Sequence, residues 1–237
     1  MFSELTILLI AAASVGFLHT VLGPDHYLPF VVMSRAGKWS PAKTAWVTLF
    51  CGLGHVGSSV VIGLFGIMLG VAISRIQALE TVRGEIAAWL LIGFGLAYFI
   101  WGLRQAYRSR PHQHGHVHLD GSDHAHPHTH NGEHLHPHCA AAPANITPWI
   151  MFTIFVLGPC EPLIPLLMYP AAKASVSGLL LVILTFSAAT IGTMLAAVAI
   201  LNRGMARISF PLMERYSHAI AGMVICLSGV AIKFLGL

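Results

Sequence analysis

Of 237 residues, 56% are hydrophobic and only 9% are charged, and the mean hydropathy is clearly positive. In an ordinary soluble domain about a quarter of the residues are charged, so the balance excludes that class and points to a chain that lives in a bilayer. The formal net charge of +4 comes from basic residues scattered through loops and not gathered into a patch, which gives no argument for nucleic acid.

A spanning helix needs about 20 largely apolar residues, and six runs qualify, at roughly 3 to 33, 44 to 73, 85 to 104, 147 to 171, 176 to 201 and 217 to 236. Membrane-barrel strands would alternate in short segments, which these runs do not. The first run has Glu4 and no basic residue before it, and it passes unbroken into a polar phrase, so it is read as a retained helix and not a signal peptide. That phrase contains His19, Gly23, Pro24, Asp25, His26 and Pro29. A straight helix would hold His19 and His26 about 10 Å apart. Pro24 lacks an N–H and biases Gly23 away from the α region, so the helix is expected to unwind and let the side chains converge. Irregular backbone at membrane depth must face a cavity or protein, not lipid.

Run two carries Cys51, Gly52, Gly54, His55, Gly57, Ser58 and Ser59, small residues that would press His55 against a neighbouring helix. Cys51, one turn before His55, is read as an apolar filler. Run three has no intramembrane charge, only Glu85 and Arg104 at its ends, and is read as scaffold. Residues 112 to 138 then hold eleven of the fifteen histidines: His112, His114, His116, His118, His124, His126, His128, His130, His134, His136 and His138. Such a tract cannot bury a core and is expected to be disordered. Its imidazoles suit auxiliary capture of borderline divalent ions. Run four repeats a breaker with Pro159, Cys160, Glu161, Pro162 and Pro165, and a carboxylate at that depth is expensive and by default functional. Run six opens with His218, read as a plain interfacial histidine.

Val21-Leu22-Gly23-Pro24 recurs 135 residues later as Val156-Leu157-Gly158-Pro159, and the same offset carries His55, Gly57 and Ser58 onto Thr190, Gly192 and Thr193. An offset one shorter carries Ile86, Ala87, Gly95 and Gly102 onto Ile220, Ala221, Gly229 and Gly236. The chain therefore reads as a duplication. Three crossings per copy invert the second copy, and the expected fold is an all-α integral membrane protein of six transmembrane helices, two inverted three-helix repeats with helices 1 and 4 broken. Its divisions are a first repeat over 1–104, a His-rich cytoplasmic loop over 105–146 and a second repeat over 147–237. In transporters so built the substrate site lies where the broken helices meet.

Nine Lys and Arg fall in loops on one side and four on the other, which by the positive-inside bias places both termini outside and the His-rich loop in the cytoplasm of a cell membrane, the inner one where there are two. The four cysteines show no CxxC spacing, so no disulfide framework is expected. His19, Asp25, His26, His55, Cys160 and Glu161 together offer imidazoles, carboxylates and a thiolate, a donor set for Ni, Co, Cu or Zn and not for Mg or Ca. The bland alternative is a set of polar residues that only hydrogen-bond across the bundle.

His19-Thr-Val-Leu-Gly-Pro-Asp25-His26 resembles the signature of nickel/cobalt transporters, in which His precedes an Asp-His pair by four intervening residues. Here there are five. Leu53-Gly54-His55-Val-Gly-Ser58-Ser59-Val60-Val61 is similar to their Leu-Gly-His-Ser-Thr-Val-Val stretch. The wider resemblance is to NicO and UreH-like membrane proteins of the LysE-type superfamily. It implies a transporter, not an enzyme, whose substrate is a divalent transition metal ion, nickel or cobalt before zinc or copper. Asp25, His26 and His55 would hold the ion with His19 and Cys160, and Glu161 would supply charge or a proton partner. Besides the lipid bilayer and the ion, metallochaperones or metalloenzyme maturation proteins are the partners it implies. Gly158-Pro159-Cys160 also looks like the thiol-disulfide conduits of the DsbD/CcdA type, which keep a cysteine in each repeat, whereas the first-repeat counterpart of Cys160 is Asp25. An electron conduit and a membrane accessory factor for metalloenzyme maturation are thus the competing readings.

Overall fold

The computed structural model describes residues 2–108, 112–117, 123–128, 147–173, 175–206 and 215–235. Eight helices occur among them: α1 (Phe2–Leu22), α2 (Leu28–Ala36), α3 (Pro41–Met68), α4 (Ile73–Arg108), α5 (Thr147–Leu157), α6 (Leu163–Ala172), α7 (Val176–Ala206) and α8 (Ser217–Leu235). Five of them are long and apolar enough to cross a membrane, over Glu4–Leu22, Pro41–Met68, Ile73–Arg108, Val176–Met205 and Ser217–Leu235. Their outward faces carry large apolar side chains such as Ile10, Phe50, Trp89, Leu184 and Leu227. In water that would be an aggregation liability, and in a bilayer it is solvation.

α1 ends where the sequence removes a donor. Gly23 takes an extended conformation and its N–H closes on the His19 carbonyl at 3.1 Å, after which Pro24–His26 form a single 3-10 turn and α2 begins at Leu28. The fourth apolar run is likewise divided, into α5 and α6. Gly158 N–H still reaches the Ile154 carbonyl at 2.9 Å, Pro159 cannot continue the ladder, and the chain restarts with Leu163 N–H on the Cys160 carbonyl at 3.1 Å.

α4 packs along α8, α1 along α7, and α3 against both α5 and α7. Glycines set the closest approaches. A Cβ on Gly95 or on Gly222 would run into the backbone of the facing helix, at Cys226 and Phe99 respectively. Where apolar surface gives no net drive to associate, such backbone-to-backbone contact lets dispersion hold helices together. Cys51 is buried in an apolar cluster with Phe30, Met151 and Met194, as a filler should be.

The third run corrects the sequence reading. α4 begins at Ile73 and not near 85, so Glu80 and Arg83, which fall between the second and third apolar runs, lie inside the helix and are buried. α4 also runs past the expected boundary at 104 to Arg108. In the histidine tract, His112–Val117 (β1) and Asp123–His128 (β2) pair antiparallel, with His112 opposite His128, His114 opposite His126 and His116 opposite His124. His118, His130, His134, His136 and His138 lie outside the described residues.

Candidate functional site

His19, the last-turn residue of α1, His26 in the 3-10 turn and His55 on α3 come together from three segments. Each offers a ring nitrogen, and the three nitrogens lie within 4.8 Å of one another, the metal-capable group of three found among the described residues. The interruption after α1 does this: the ring centroids of His19 and His26 are 4.6 Å apart, less than half what a continuous helix would allow. His26 and His55 are buried and His19 is partly so.

The orientation of the rings decides what they can do. His26 Nδ1 faces only acceptors, the Gly23 carbonyl at 3.0 Å and Asp25 Oδ1 at 3.2 Å, so that nitrogen carries a proton and donates. The His55 ring turns its Nδ1 toward Gly158, where an added Cβ would stand 3.2 Å from that nitrogen and 3.2 Å from the Phe155 carbonyl. The remaining nitrogens, Nε2 of each, then point at each other across 3.3 Å. In the neutral His26 ring that nitrogen is a lone pair, and with the His55 proton on Nδ1 the facing nitrogen is a lone pair too. Two lone pairs at that distance repel unless a cation or a proton lies between them. His19 Nε2 is also buried, and it has no hydrogen-bond partner. Two nitrogens on one tetrahedral metal, each about 2.0 to 2.1 Å from it, stand about 3.3 to 3.4 Å apart. His26 and His55 already have that spacing, and His19 needs to close by roughly an ångström.

Glycine makes room for the rings at both interruptions. A Cβ at Gly23 would stand 2.5 Å from His26 Nδ1, and one at Gly158 would stand 3.2 Å from His55 Nδ1. Each Gly-Pro thus seats one imidazole, His26 at Gly23 and His55 at Gly158, both from the first half of the chain. Both interruptions line a single cavity of about 740 Å³, which His19, Asp25, His26 and His55 share with Gly158, Pro159 and Glu161.

The other expected ligands are placed differently. Cys160 is fully buried but lies in an apolar cluster with Ala12, Val56, Leu163 and Phe186, and it is not among the residues lining the cavity. Its backbone N–H donates to Ser59 Oγ at 3.0 Å and to Glu80 Oε2 at 3.3 Å. Glu161 does line the cavity, but it is exposed, not sunk in apolar surroundings, and accepts a hydrogen bond from Thr81 at 3.4 Å. His218 accepts or donates a 2.7 Å hydrogen bond with Tyr98 and packs on Trp101, away from the site.

Glu80 and Arg83 were missed by the sequence reading. They form an ion pair one turn apart on α4, buried beside the second interruption. A pair of opposite charges three residues apart, flanking an apolar run with no turn residue between, is the signal that the helix extends through them. Thr190, the repeat counterpart of His55, is buried against Gly16 with its hydroxyl unpartnered.

Fold and site together define a helical chain of membrane-spanning character with a buried three-histidine cluster. No protein-family model, curated protein or solved structure matches it.

Proposed function

We propose that this chain is a membrane transporter for a divalent transition metal ion, nickel or cobalt before zinc or copper, held by His19, His26 and His55. Asp25 acts from behind His26, fixing its tautomer and raising its basicity, as carboxylates do for ligating histidines. The observation that carries the reading is the pair of facing Nε2 atoms at 3.3 Å, the His26 ring anchored through its other nitrogen, with the unpartnered His19 Nε2 beside them. A bundle of polar residues serving only packing would have donors matched to acceptors. This one gathers three ring nitrogens around a point and leaves one of them without a partner.

The architecture in which this works is six spans in two inverted repeats. α1 with α2, and α5 with α6, are the broken first spans, and the His-rich loop is on the cytoplasmic side. The packing supports it, since α1 with α7 and α5 with α3 are the same pairing under exchange of the repeats. The ion then sits between the interruptions, as in other inverted-repeat carriers.

Cobalt or nickel titrated into purified full-length chain against a chromophoric chelator tests the reading. The expected result is a tight site that survives removal of the His-rich tract and is lost in His26→Ala and in His55→Ala. Undiminished binding in both variants would sink it.

A further inference from the structure

The interruption between α5 and α6 leaves backbone groups open, and they are closed from a different helix. Arg83 Nη2 donates to the Val156 carbonyl at 2.7 Å and to the Gly158 carbonyl at 3.4 Å. Glu80 Oε2 accepts the Cys160 N–H, and it also accepts the Ser59 hydroxyl at 2.9 Å. Gly84, next on the same helix, is the seat of the Pro159 ring, whose Cγ would lie 2.8 Å from a Cβ there. Carbonyls and an N–H without partners at membrane depth each cost several kcal/mol in hydrocarbon, and one ion pair on α4 serves them all. The first interruption needs no such help, because Gly23 and His26 close it locally.

The same pair reaches His55. Arg83 Nη2 donates to Ser58 Oγ at 2.7 Å, and Ser58 Oγ in turn donates to the His55 carbonyl at 2.9 Å. On its ring side His55 faces the Phe155 ring edge-on and abuts Gly158, within the segment whose Val156 and Gly158 carbonyls Arg83 holds. We propose that Glu80 and Arg83 are a positioning pair that closes the second interruption and so fixes the His55 imidazole opposite His26. The planar guanidinium is suited to this, since it presents several donors in fixed directions at once, which a lysine ammonium does not. The part of the proposal that concerns ion affinity rests on the metal reading above, and the part that concerns the interruption does not.

The test uses full-length chain in nanodiscs with Cys51, Cys139 and Cys226 replaced by alanine, so that Cys160 is the single thiol. Arg83→Gln, Arg83→Lys and Glu80→Gln are compared for maleimide labelling of Cys160 and for the absorption bands and affinity of bound cobalt. Each variant is expected to label Cys160 at least about tenfold faster than the parent. Each is also expected to shift the cobalt bands and weaken affinity about tenfold or more, Arg83→Lys least. A role in stability alone would lower thermal resistance and leave the cobalt bands of the folded fraction in place, and that result overturns the positioning role. Labelling unchanged in all three variants overturns the closure of the interruption. A parent chain that binds no cobalt sinks the metal reading instead, and the labelling still decides whether the pair closes the interruption.

Discussion

At His26 the ring is held from behind. Asp25 and the Gly23 carbonyl share its Nδ1 proton, and the opposite nitrogen is left to face His55. Asp25 thus acts on the ring and not on the ion, and Asp25→Asn is expected to weaken cobalt binding by about 10- to 100-fold, the usual effect of losing such a partner. His26→Ala and His55→Ala should lose more. Equal losses from Asp25→Asn and His26→Ala in a competition titration would make Asp25 a direct ligand. Gly23→Ala places a methyl group against the His26 ring nitrogen and should abolish the site while the helices remain folded by circular dichroism. Gly158→Ala, whose Cβ would stand 3.2 Å from His55 Nδ1, a tight contact that a small ring shift relieves, should cost less affinity. Wild-type affinity in Gly23→Ala would mean that the ring does not sit where the structure has it. His19, Asp25, His26 and His55 were legible from sequence because polar side chains in apolar runs, beside a proline that must break the helix, have few bland explanations. Cys160 was expected beside them and packs in an apolar cluster off the cavity lining, because a repeat aligns positions along the chain and says nothing of what each side chain packs against.

α4 shows where pattern-reading by hydropathy loses an element. Glu80 and Arg83 lower the local hydropathy enough to suggest a loop, yet each neutralises the other and the pair finds donors and acceptors on α3 and at the second interruption, so the helix continues. No single-chain periodicity carries that information, because the partners come from elsewhere in the fold. The other face of α4 was partly legible, since Gly95 and Gly102 recur at one offset as Gly229 and Gly236, whereas Gly222 falls on Ala88. The structure puts Gly95 against Cys226, Gly102 against Ala219 and Gly229 against Ala88 and Ile92. Gly95→Ala and Gly222→Ala should therefore lower the thermal midpoint in detergent, because a methyl group meets facing backbone that cannot step aside. Gly93→Ala, with nothing within 4 Å of its Cβ, should be neutral or raise it, since alanine favours a helix over glycine by about 1 kcal/mol. An equal drop in all three would mean that glycine matters here for flexibility and not for the approach of α4 and α8.

Over the whole molecule, two stores of imidazole are separated by the character of the chain that carries them. His19, His26 and His55 are fixed by a helix interruption, two glycines and partners from three segments, and their spacing already approaches that of ligands on one ion. The tract histidines repeat at every second residue over 112–118 and 124–130, amid Gly, Pro and Asp, so no apolar face ties them to the bundle. Along β1 and β2 this spacing sets three histidines of one strand opposite three of the other. A site built by the bundle should be selective and saturable, whereas a run of imidazoles offers several weaker sites of similar kind, since affinity there follows ligand type and not a fixed geometry. Deleting residues 112 to 138 from the full chain should then lower the number of cobalt ions bound per molecule and remove the weaker phase of the titration. The tightest site and its dependence on His55 should remain, and uptake into proteoliposomes should half-saturate at a higher cobalt concentration with little change in maximal rate. Loss of the tight phase on deletion would mean that the ion is held by the tract, and would leave the buried triad a hydrogen-bonding cluster.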